Sequence, residues 1–249
     1  MSNNYSNPPF LEAVFEIHTT SEQNEWDLTF HADFYAEIKD IFPNKKTEKR
    51  PNLSIHINPK GIDVSPKTDE RYILKSSNSE GNLMVQFSEN QLVVNAIKPY
   101  VNWNTYNSCI NRCLDAYIKI MKPSDVTNLS LRYINKIDSG TQHNYENIEQ
   151  IFNIRPHIPN DISSKTHSFQ MITEYLLEEE STLLAIQQAS LRPDDKMTAP
   201  ILFDLRYLQL QLDNFSFITL NRWLDIAHSH IESAFEKGLS DFIKEKFNS

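Results

Sequence analysis

Hydrophobic and polar positions alternate over residues 11–19, directly after Pro8–Pro9. A period of two is the signature of a strand buried on one face. Leu11, Ala13, Phe15 and Ile17 fall on one side, and Glu12, Val14, Glu16 and His18 on the other. The period then lengthens. Phe30, Phe34, Ile38 and Ile41 recur at helical spacing within residues 28–42, and Pro43 predicts the stop. Residues 44–51 are basic and polar and read as a loop. Short strands are predicted over residues 53–57, 62–64, 72–75, 83–87 and 92–97. Turn residues such as Pro59 and Gly61 separate them, and Pro99 closes the series because proline cannot donate to a ladder. The clearest helix carries Trp103, Tyr106, Ile110, Cys113, Leu114, Tyr117, Ile118 and Met121 on one continuous face.

The second half begins in the same way. Residues 129–138 alternate, with Leu131, Tyr133, Asn135 and Ile137 on one face and Arg132, Ile134, Lys136 and Asp138 on the other. A short helix is predicted over residues 145–152, and a loop with two prolines over 153–166. Residues 169–177 and 182–191 read as a hairpin turning near Glu179–Glu180. Residues 201–212 form a long strand whose apolar phase switches near Arg206–Tyr207, which predicts a bulge or a change of covering partner there. Trp223, Ile226, Ala227, Ile231, Ala234 and Phe235 stripe a final long helix. Gly238 is expected just past its end, and Ser240 as the cap of a last short helix.

The order is thus β-α-β(n)-α twice, over residues 1–126 and 127–249, within one integrated domain. Meandering strands favour antiparallel pairing. The expected class is α+β: a mostly antiparallel sheet, or two packed sheets, with helices on one face. The element order is similar to those of the TATA-binding protein and helix-grip ligand-binding folds, an analogy of fold that carries no function.

Charge narrows the partners. The 249 residues hold 24 basic and 33 acidic side chains, a net −9. General binding of duplex DNA is not expected, because phosphate neutralisation needs clustered Lys and Arg. No apolar run approaches the ~18–20 residues of a membrane span, and the N-terminus lacks a secretory apolar segment, so the expected location is cytoplasmic. Cys109 and Cys113 lie four apart on one helix face. Their side chains point the same way, which disfavours a disulfide, and no second cysteine pair completes a zinc site. They read as core residues.

The residues able to carry chemistry are scattered. Glu12 and Glu16 share a strand face, but four residues at ~3.3 Å each put them ~13 Å apart. A glycosidase pair needs roughly 5–9.5 Å. If the first strand neighbours residues 129–138, Glu12 and Glu16 face Arg132 and Lys136 as cross-strand ion pairs, either fixing register or flooring a binding groove. Lys98, Tyr100, Asn135 and Asp138 complete the set of candidate ligand or partner contacts. His228 and His230 are two apart on a helix and cannot chelate one ion together. His228 is expected to border the core. No GxGxxG, GxxxxGK[ST] or GxSxG occurs, so no metal, cofactor or nucleophile–base pair is assigned.

Four ordered motifs carry a resemblance. They are Asn7–Pro8–Pro9–Phe10–Leu11–Glu12–Ala13–Val14–Phe15–Glu16–Ile17, then Val94–Asn95 with Lys98–Pro99–Tyr100, then Leu131–Arg132–Tyr133–Ile134–Asn135–Lys136–Ile137–Asp138, and finally His228, Ile231, Phe235–Glu236 and Leu239–Ser240–Asp241. Over nearly its whole length the chain resembles a sporadically distributed prokaryotic family of uncharacterised proteins. The family pattern has arginine where His18 stands and again where Lys136 stands, so neither position holds a strict chemical role. The family has no agreed activity, but its patchy distribution is similar to that of mobile defence and toxin–antitoxin genes. The resemblance therefore implies a partner-binding role. The resulting expectation is a non-enzymatic interaction protein, antitoxin-like or defence-associated, whose protein partner is encoded by an adjacent gene. The alternative is a small-ligand or nucleotide sensor with a pocket between sheet and helices. A third reading, a metal-independent enzyme acting on nucleic acid, lacks any nucleophile–base pair.

Overall fold

The computed structural model describes residues 5–20, 26–58, 61–138, 145, 148–155, 166–192, 199–213 and 215–248, with the side chains of 50–71 and Glu180 outside that description. The chain runs β1 (Phe10–Thr20), α1 (Thr29–Ile38), β2 (Asn44–Asn58), β3 (Gly61–Ser77), β4 (Leu83–Ser88), β5 (Gln91–Ile97) and α2 (Trp103–Met121). It continues through β6 (Asp125–Asp138), α3 (Ile148–Ile151), β7 (Gln170–Leu177), β8 (Thr182–Ser190), β9 (Pro200–Gln209), α4 (Leu220–Gly238) and α5 (Asp241–Lys246). The fold is α+β. Among the described residues, the nine strands join one antiparallel sheet in the order β2-β3-β4-β5-β1-β6-β9-β8-β7. One sheet, not two packed ones, is the outcome.

Alternation decides which face the helices cover. In β1, Ala13, Phe15 and Ile17 are buried while Glu12, Val14, Glu16 and His18 are half-buried. Leu131, Tyr133 and Ile137 of β6 and Phe203, Leu205 and Tyr207 of β9 join the same buried layer. The helices pack on this layer through one continuous core. Phe87 of β4 stacks on Phe34 of α1 at 4.3 Å and meets Tyr117 of α2 edge-on at 5.9 Å. Phe203 of β9 contacts Phe235 of α4 at 6.0 Å. Buried tyrosine hydroxyls are satisfied, as burial requires. Tyr106 donates to the Val94 carbonyl at 2.7 Å, and Tyr207 receives Thr182 at 3.0 Å. Both cysteines are free and buried against the sheet.

Several expectations are corrected. Residues 44–51 are not a loop. They open β2, which pairs with β3 from Asn44↔Ser77 to Asn58↔Gly61. Cross-strand pairing overrides the polar composition, and the separate short runs at 62–64 and 72–75 become one strand. The bulge expected near Arg206–Tyr207 is absent, because β9 keeps one register against both β6 and β8. Its phase switch has another cause: β9 lies inside the sheet, and Leu202 and Leu208 place apolar groups on the second face as well. The helix expected over 145–152 is the single turn of α3. Most of the proline-containing loop lies outside the described residues.

Gly238 ends α4 as its last residue, with Leu239 as the cap, and it does not adopt a positive φ. A Cβ there would sit 3.0 Å from the Phe203 ring. Close packing, not turn geometry, requires the glycine. Ser240 does cap α5, accepting from the Ile243 amide at 3.3 Å.

Candidate functional site

The sheet face that carries no described helix, the helix-free face below, presents a strip of charged side chains from β1, β6 and β9. β1 lies between β5 and β6, and β9 follows β6. Glu12, Glu16 and His18 therefore stand beside Gln91 and Asn95 of β5 on one flank and Arg132 of β6 on the other. Asp204 and Arg206 of β9 extend the strip.

The neighbouring of β1 and β6 matches the sequence expectation, but the expected ion pairs do not form across it. Glu12 stands opposite Ile134, Glu16 opposite Ser130, and Arg132 opposite Val14. Parity is preserved, so all share a face, but the register sets each acid diagonal to Arg132. The register shift between Phe10 and Glu12 takes Lys136 further from both glutamates, and its amide donates to the Pro9 carbonyl at 2.8 Å.

Arg132 turns instead toward β9. Its Nε donates to Asp204 Oδ1 at 2.8 Å and to Oδ2 at 3.0 Å, and Nη2 completes a forked contact with Oδ2. Asp204 is 5% exposed. A buried carboxylate requires such a partner, and the planar guanidinium supplies two parallel donors. The Asp204 contact, together with the nearby Glu12 and Glu16 charges, raises the Arg132 pKa further above its ordinary value. Asp204 was missed in the sequence, although an acid within an apolar run is itself a signal that a partner must lie opposite.

The two glutamates are held by separate networks. Asn95 Nδ2 donates to Glu12 at 2.7 Å, and Gln86 donates to Asn95 at 3.3 Å. Glu16 meets His18 Nε2 at 2.6 Å and accepts from Gln91 at 2.8 Å. The His18 hydrogen bond is the main cause that lowers the Glu16 pKa below the ordinary carboxylate value, with Gln91 and the Arg206 charge helping. Glu12 is tied to an amide, and Glu16 to an amide and an imidazole. The arrangement presents fixed, alternating charge.

The remaining candidates separate. Asn135 is fully buried on the helix side, and its Nδ2 donates to the Phe203 carbonyl at 3.0 Å. That bond is structural. Tyr100 packs on Phe10 at 4.5 Å, and its hydroxyl meets that of Tyr133 at 3.1 Å. Burial pushes the Tyr100 pKa up to about 12. Lys98, Lys136 and Asp138 meet at a cavity of about 240 Å³ at the end of the sheet, between β1, β6 and α5. His228 is buried and stacks on Trp103 at 4.0 Å, as expected for a core-bordering residue. His230 stacks on Tyr207 at 5.3 Å. Among the described residues no His, Cys, Asp and Glu group is arranged to hold a metal. No described helix is long and apolar enough to cross a membrane.

No family model matches the chain, and no curated protein sequence matches it. Among solved structures, the S. pombe Pct1 RNA triphosphatase in complex with the Spt5 CTD is similar at 8% identity, over 95% of this chain and 86% of that chain, with a TM-score of 0.17. A likeness at that level carries no argument about fold or function.

Proposed function

We propose that the protein is a non-enzymatic binding protein that recognises a protein partner through the helix-free face of its sheet. The observation that supports this reading is the strip of Glu12, Glu16, His18, Arg132 and Asp204, held in place by side-chain hydrogen bonds and extended by Arg206, on the face that carries no described helix. Ordered charges of both signs on a broad surface give specificity and steer association, because a wrong partner meets like charge. The reading keeps the expected setting, an antitoxin-like or defence-associated protein with its partner encoded nearby.

The test is to isolate the tagged chain from its own cells and identify a stoichiometric companion, with the product of the adjacent gene as the first candidate. Glu12→Lys and Arg206→Glu should each release that companion, whereas Lys119→Glu, whose ion pair with Glu37 lies on the helix layer, should retain it. A chain that purifies alone, or that keeps its companion in the face variants, refutes the proposal.

A further inference from the structure

The two edges of the sheet are built differently. β2, at one edge, carries Lys45, Lys46 and Lys49, then Pro51, and its register shifts between Pro51 and Asn52. Lysine, proline and a break of register are the means by which an edge avoids pairing with another chain. Among the described residues, β7 is the last strand at the other edge, and it has none of these. Its eight residues include no lysine, arginine or proline. They keep one unbroken register against β8, from Gln170↔Ala189 to Leu177↔Thr182. Ile172, Tyr175 and Leu176 of β7 are 55%, 41% and 57% exposed. An apolar, unguarded edge gains twice from a further strand, through its backbone groups and through its side chains.

Strand parity fixes which backbone groups point outward. Ser190 N–H donates to the Phe169 carbonyl at 3.0 Å, so Phe169 and every second residue after it turn their backbone toward β8. Gln170, Ile172, Glu174 and Leu176 turn theirs to the open side. Met171, Thr173 and Tyr175 stand opposite Gln188, Ile186 and Leu184, which are buried in the helix layer, and so carry that layer out to the edge. Ile172, Glu174 and Leu176 carry the helix-free face outward in the same way.

This edge complements itself. Two copies related by a twofold axis pair antiparallel, and parity sets the axis at Ile172, Thr173 or Glu174 when the strands overlap centrally. With the axis at Glu174 the two carboxylates stand directly opposite, which is destabilising. With the axis at Ile172, Leu176 faces a residue outside β7. With the axis at Thr173 every outward residue pairs within the strand: Gln170 with Leu176 and Ile172 with Glu174, each pair formed twice. Acid never faces acid, and Met171 meets Tyr175 on the helix layer.

We infer that β7 joins β7 of a second copy, antiparallel about Thr173, so that two sheets become one continuous sheet in a symmetric dimer. The contact lies two strands beyond β9, where the charged strip ends, and it uses the edge and not the face. It therefore does not rest on the partner proposed for that face, and the two readings fail separately.

Sedimentation equilibrium of the full chain gives the first test. A ladder of this size is at the small end of specific interfaces, so a dissociation constant on the order of 10 μM and a mostly dimeric chain at about 100 μM are expected. The sedimenting mass should then approach twice 29.0 kDa. Ile172→Pro removes an outward N–H and leaves the ladder to β8 in place, and it should weaken dimerisation about tenfold or more. Leu176→Lys, which guards the edge without touching the backbone, should do the same. Thr173→Cys tests the register. Its two copies form a non-hydrogen-bonded pair with Cα atoms ~4.5 Å apart, within disulfide range, so diamide should link them. The copies of Ile172→Cys stand diagonal, ~7–8 Å apart, and should stay unlinked. Cys109 and Cys113 are buried, and the native chain controls for them. A chain that is monomeric at about 100 μM overturns the inference and leaves the edge to a strand of another protein. So does a dimer unchanged in both Ile172→Pro and Leu176→Lys, or one that links through Ile172→Cys and not through Thr173→Cys.

Discussion

The pairing of Arg132 with Asp204 makes a quantitative prediction about the helix-free face. Replacing Arg132 by alanine leaves the Asp204 carboxylate, 5% exposed, without its forked partner. Breaking a fully buried pair costs about 3–5 kcal/mol, because the remaining charge is uncompensated. Here the arginine side chain is 41% exposed, so water reaches part of the vacated volume. A loss of about 2–3 kcal/mol is therefore expected. Asp204→Asn, which removes the charge but keeps the shape, should make Arg132→Ala much milder, with a coupling energy of about 1.5–2.5 kcal/mol. Glu12 is only diagonal to Arg132 and is already held by Asn95. Its coupling to Arg132 should stay below about 0.5 kcal/mol. Urea unfolding followed by tryptophan fluorescence measures all three terms. A Glu12–Arg132 coupling as large as that of Asp204–Arg132 would mean that the expected β1–β6 ladder, and not the β6–β9 fork, organises this face.

Three further outcomes are expected. Burial lowers the His228 pKa from 6.5 to about 3, so the unfolded chain binds the extra proton in that window. Stability should therefore fall by about 2 kcal/mol from pH 7 to pH 5 on this account. His31 adds in the same direction, since burial lowers it too. His228→Phe, which can still stack on Trp103, should flatten the acid slope of urea midpoints, and an unchanged slope would assign it to other groups. Gly238→Ala should destabilise by about 1–2 kcal/mol, because the new methyl meets the Phe203 ring at 3.0 Å; a neutral melting temperature would show that the ring yields. Burial pushes the Cys109 and Cys113 thiols up, so a thiol reagent at pH 8 should label neither in the native chain and both in urea. Rapid native labelling would place them nearer the surface.

Local patterning set the elements and their faces. The two-residue period of β1 and β6 and the helical stripes of α2 and α4 are properties of short windows, and burial follows them closely, with Leu11 beside the register shift of β1 an exposed exception. The position of His228 at the core and of Ser240 as a cap were legible for the same reason. Strand neighbours were only partly legible. That Glu12 and Arg132 share a face follows from parity, but which residue stands opposite depends on a shift of register near Leu11 and on β9 lying beyond β6. No local rule encodes a partner 72 positions away, so Asp204 entered the site only through the tertiary structure. The same holds for the lysines of the sheet-end cavity. Lys98 and Lys136 stand out in the sequence as candidate contacts and Lys246 does not, but only the sheet and α5 bring their chain segments to one opening. Period and propensity act within a few residues, whereas register, sheet order and charge convergence are decided by packing the whole chain.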